Sequence, residues 1–109
     1  MMSQKLYCIA SFRAKEGKEQ ELFRILKALE PDSLREEGCL QYILTRHVAN
    51  PFAQGESFPI VFNEIWKSVD AFEKHCQRQE IVDFSERHCM DPEGLVAAYN
   101  VAVYSDEYS

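Results

Sequence analysis

The chain has 109 residues, 18 acidic against 12 basic side chains and a net charge of −6. That length suits one domain, residues 1–109, and leaves no room for a second. With 46% apolar and 28% charged residues and only four Gly and four Pro, the composition excludes disorder, collagen-like repeats and low complexity.

Lys and Arg are scattered and outnumbered, so no basic stripe exists to neutralise phosphates, and nucleic acid is not an expected partner. No apolar run approaches the ~20 residues that cross a bilayer. The opening Met1-Met2-Ser3-Gln4-Lys5 lacks the apolar core of a signal peptide. A cytoplasmic protein with no membrane partner is the expectation. Cys8, Cys39, Cys76 and Cys89 contain no CxxC pair and read as buried free thiols of a reducing compartment. A metal site joining His75-Cys76 to His88-Cys89 is not expected, because adjacent helical residues point about 100° apart.

Leu6 to Phe12 is rich in β-favouring residues, with Leu6, Cys8, Ala10 and Phe12 on one face, and reads as the first strand. After Gly17, the stripe Leu22, Ile25, Leu26, Leu29 predicts an amphipathic helix. Pro31 opens a short second helix with Leu34 directed inward, and Gly38 stops it in a left-handed conformation. Cys39 to His47 is a strand with Leu40, Tyr42 and Leu44 on one face and Gln41, Ile43, Thr45 and His47 on the other. Residues 48–58, with Asn50-Pro51 and Gly55, form a long loop that is a lid or simply a variable connection.

Pro59 to Lys67 is the third strand, with Ile60, Phe62, Glu64 and Trp66 sharing one face and Val61, Asn63 and Ile65 the other. Ser68 caps a helix through Phe72, His75 and Cys76 that continues past Ile81, Phe84 and His88 to Asp91-Pro92. Leu95 to Tyr104 is the last strand. The order βααββαβ satisfies an α+β, ferredoxin-like fold: a four-stranded antiparallel sheet with helices on one face. The other face would expose Tyr7, Ile9, Val61, Ile65 and Val96. That patch exceeds what a monomer tolerates, so a homodimer packed sheet against sheet is expected.

The stretch Phe62-Asn63-Glu64-Ile65-Trp66-Lys67-Ser68, followed by Asp70-Ala71-Phe72-Glu73-Lys74-His75, resembles the antibiotic biosynthesis monooxygenase superfamily and its quinol monooxygenase members. The likeness extends over nearly the whole chain: opening strand, Gly-Lys-Glu helix start, Gly38 and closing strand follow the same order. It implies a dimeric α+β barrel that oxygenates quinols or polycyclic phenols with O₂, without metal or flavin, so no cofactor is expected. Glu64, Trp66 and His75 match the pattern. A second His that many members hold five residues on is Glu80 here, so a two-histidine site is not expected. Haem-degrading relatives use an Asn in the first strand, a Trp where His75 stands and an axial His near Ser85; these departures disfavour haem.

A phenolate or hydroquinone anion can react with triplet O₂ by first giving up one electron. The protein then needs a base, hydrogen-bond donors and a dry cage. His75 is the candidate base, Trp66 and Phe72 the cage, and Asn63, Tyr42, Tyr99 and Arg46 the donors to a small aromatic substrate. Duller readings stand beside these. His75 reads equally as a buried structural histidine, and Trp66 as core with its indole N–H satisfied. Glu64, costly on an apolar face, either pairs with Arg13 or Arg46 or serves a site. His47 and His88 read as surface or helix-end residues, and Arg35-Glu36-Glu37 as a solvated face. The rival to an oxygenase is a binding or regulatory module of the same fold.

Overall fold

The structure, a computed structural model, describes residues 4–108. Four strands, β1 (Leu6–Ala14), β2 (Cys39–Arg46), β3 (Ile60–Trp66) and β4 (Val96–Tyr104), form an antiparallel sheet in the order β2-β3-β1-β4. Four helices lie on one face: α1 (Glu19–Lys27), α2 (Glu30–Leu34), α3 (Val69–Cys76) and α4 (Gln79–Phe84), the last running into a π-helical turn, Ser85–Met90. This is the ferredoxin-like α+β architecture expected from the residue pattern. No helix among the described residues is long and apolar enough to cross a membrane.

The core lies between helices and sheet. Leu6, Cys8, Ala10 and Phe12 face it from β1, Ile60, Phe62, Glu64 and Trp66 from β3, and Leu22 and Leu26 from α1. Each large aliphatic side chain so buried contributes about 1.5–3 kcal/mol. Tyr7, Ile9, Val61 and Ile65 lie on the opposite face, half-buried, as their alternation requires.

Five expectations are corrected. Leu34 is 51% exposed, and Ser33 is the buried residue of α2. The reason is an anchor: the Glu30 carboxylate accepts a hydrogen bond from the backbone N–H of Leu44 at 2.7 Å, which turns positions 30 and 33 toward the sheet. Leu40 points outward because a bulge between Cys39 and Gln41 adds a residue to β2, so that Cys39 sits opposite Trp66 and Tyr42 opposite Glu64. A second bulge, at Arg13/Ala14 in the β1–β4 ladder, carries Val96 off the uncovered face and into the core. Finally, the long last helix is broken. The N–H groups of Gln77 and Arg78 close tight turns on the Lys74 and His75 carbonyls, and Arg78 is extended (ψ 143°) before α4 begins. Of the four thiols, Cys8 is buried, Cys39 and Cys89 are half-buried and Cys76 is exposed, which corrects the expectation for Cys76.

Candidate active site

A cavity of about 350 Å³ opens between the sheet and the α3–α4 layer. Its floor is Cys8, Ala10 and Phe12 of β1 and Phe62 and Glu64 of β3, with Tyr42 at one side and Tyr99 and Val101 of β4 at the other. Phe72, His75, Phe84 and Met90 come from above. The volume is that of an ordinary small-molecule pocket, mostly apolar with few polar groups. No residue of the 48–58 loop lines it.

The cavity brings together His75, Glu64, Phe72, Tyr42 and Tyr99 from among the residues picked out in the sequence. Two do not line it. Trp66 is fully buried behind it, its ring tilted 38° against His75 with centroids 4.6 Å apart. Asn63 is on the opposite face of the sheet, where its amide donates to Thr45 Oγ1 at 3.0 Å. Its role as a donor to bound substrate is thereby corrected. Arg46 likewise stands apart, over the Phe23 ring.

His75 reaches the cavity because the Ser68 hydroxyl accepts from the N–H of Ala71 and starts α3 immediately after β3. Ala71 and His75, four residues apart, then share the buried face of the helix. The imidazole is 4% exposed and is flanked by Trp66 and by Tyr42, whose ring centroid lies 5.1 Å away. Its Nδ1 is 2.7 Å from Glu36 Oε2. The same oxygen accepts from Arg78 Nη1 at 2.7 Å, and the other arm of Arg78 contacts Glu80. Burial pushes the imidazole below its ordinary pKa, partly opposed by the Glu36 carboxylate, so the ring is a neutral base at pH 7.

Glu64 forms no pair with Arg13, which lies over Phe58, or with Arg46. Its Oε1 accepts from the indole N–H of Trp66 at 2.9 Å. Burial raises its pKa to about 7, against the opposing Trp66 and Cys8 hydrogen bonds. A carboxyl whose proton is held well above the usual carboxylate range therefore shares the cavity with an imidazole pushed toward its neutral form. Burial also holds the Tyr42 phenol and the Cys8 thiol protonated, and lifts the Cys89 thiol to about 11.

Glu36 is the functional candidate that sequence reasoning missed: the run Arg35-Glu36-Glu37 reads as solvated, yet the Glu36 side chain is only 13% exposed. A usable signal lay two residues on, since a glycine that must sit close to a helix fixes the turn preceding it. Glu80, five residues after His75, contacts Arg78. Among the described residues no three His, Cys, Asp or Glu side chains converge as a metal site.

The chain belongs to the antibiotic biosynthesis monooxygenase family, whose sequence profile matches residues 6–87. A solved protein of Shewanella oneidensis is 34% identical, covering 95% of this chain and 92% of its own, with a TM-score of 0.77. A Pseudomonas aeruginosa protein is 28% identical over 99% of both chains, with a TM-score of 0.76. A protein of Bacteroides fragilis described as dimeric and ferredoxin-like shares the fold at 13% identity, covering 96% of this chain and 99% of its own, with a TM-score of 0.68. No curated protein matches the chain.

Proposed function

We propose that the protein is a cytoplasmic, cofactor-independent monooxygenase that oxidises a quinol or related phenol with O₂. The observation that carries this reading is the placement of a buried neutral imidazole, held by a carboxylate, on the wall of a mostly apolar cavity of about 350 Å³. In a hydroquinone, His75 removes a phenolic proton and the anion passes one electron to O₂. The radical pair collapses to a carbon-bound peroxide, whose O–O bond breaks to leave a hydroxyquinone and water. One oxygen atom enters the ring, the other leaves as water, and the substrate supplies all four electrons. Protonated Glu64 can donate to the anionic oxygen, and Phe72, Tyr42 and Tyr99 enclose the aromatic ring. Four free thiols accord with a reducing compartment.

The same reading includes a homodimer in which the face bearing Tyr7, Ile9, Val61 and Ile65 meets its copy. The test of the reaction is turnover of a hydroquinone panel under ¹⁸O₂ with metals chelated. One ¹⁸O atom per hydroxyquinone is expected. Saturable binding of the same compounds without O₂ consumption would instead favour a ligand-binding module.

A further inference from the structure

We infer that Glu36, in the α2–β2 turn, is a positioning residue that fixes the His75 tautomer and leaves Nε2 as the acceptor facing the cavity. This rests on the oxygenase reading for its catalytic meaning, but its geometry stands by itself. His75 borders the cavity and Glu36 does not, so the Nδ1 edge, 2.7 Å from Glu36 Oε2, is turned away from bound substrate. A carboxylate only accepts, so Nδ1 carries the proton and Nε2 is bare. Arg78 donates to the same Glu36 oxygen and supplies the positive charge that keeps a carboxylate in a largely buried place.

The turn is built to hold this contact. The N–H of Glu36 bonds the Ser33 carbonyl, its own carbonyl accepts from Cys39, and the Gly38 carbonyl accepts from Lys67 at 2.8 Å. Gly38 has φ +90°, and a Cβ there would lie 2.7 Å from Ala71 Cβ, one helical turn before His75. Only glycine lets the turn sit this close to α3. Arg78, extended between α3 and α4, places its guanidinium on Glu36 from the other side. The charged groups around the imidazole are thus Glu36 and Arg78 at the Nδ1 edge, Glu80 and Asp32 near Arg78, and Glu64 on β3.

The test reads the ring directly, by long-range ¹H–¹⁵N correlation and pH titration of His75 in the full chain. Wild type should carry its proton on Nδ1. Glu36→Gln, which keeps an acceptor but loses the charge, should keep the tautomer and titrate lower. Glu36→Ala should shift the ring toward the Nε2–H form and cut kcat about 10- to 100-fold with KM within about twofold. An unchanged tautomer and titration in both variants would overturn the assignment. If wild type consumed no O₂ with any hydroquinone, the oxygenase reading would fail while the spectra still decided the role of Glu36.

Discussion

Glu64 and Trp66 are two residues apart on β3 and satisfy each other, so the buried carboxyl and the buried indole are one unit. Trp66→Phe removes the donor and leaves Glu64 with less support. A loss of about 1–3 kcal/mol in chemical denaturation is expected, together with a further rise in the Glu64 pKa. The pH dependence has a definite sign. With a pKa raised to about 7 from 4.5, Glu64 binds its proton more tightly in the folded state, so its contribution to stability falls as pH rises through that window. His75, shifted below 6.5, acts oppositely: its contribution is lost as pH falls below that value. Glu64→Gln should therefore gain stability relative to wild type between pH 5 and 8, by about 3 kcal/mol at most. A difference flat with pH, measured by urea midpoints, would place Glu64 in water.

Particular elements explain where the sequence was readable. The period-two faces of β1 and β3 and the stripe of α1 were legible because burial alone sets them. The bulges at Cys39/Gln41 and Arg13/Ala14 were not, since one extra residue inverts a face and no local residue type announces it. The Glu30 contact with β2 and the Glu36 contact with α3 are tertiary and have no sequence period. Thus His75, Tyr42, Phe72, Tyr99 and Glu64 could be picked out by residue type and family likeness, whereas the carboxylate that orients His75 could not. Ser68, legible as a cap, should cost about 0.5–2 kcal/mol on change to Ala. Gly38→Ala should cost more, because it combines positive φ with a direct clash on Ala71. Comparison of the two by thermal denaturation tests that ranking.

At the scale of the whole molecule, the helices cover one sheet face and leave Tyr7, Ile9, Val61 and Ile65 on the other, only half-buried in a single chain. A charge there should oppose the proposed sheet-to-sheet dimer without touching the cavity: Ile9→Asp is expected to sediment as a monomer and wild type at twice the mass. The cavity lies on the helix side of the same sheet, so shape and association are separable from the chemistry. The proposed chemistry depends on His75 acting as a base in this mostly apolar cavity. Its most direct test is O₂ uptake by wild type and His75→Ala across hydroquinones, with metals chelated. Uptake by wild type should fall about 10²- to 10⁴-fold in the variant; equal rates in the two proteins would contradict a role for His75 as base.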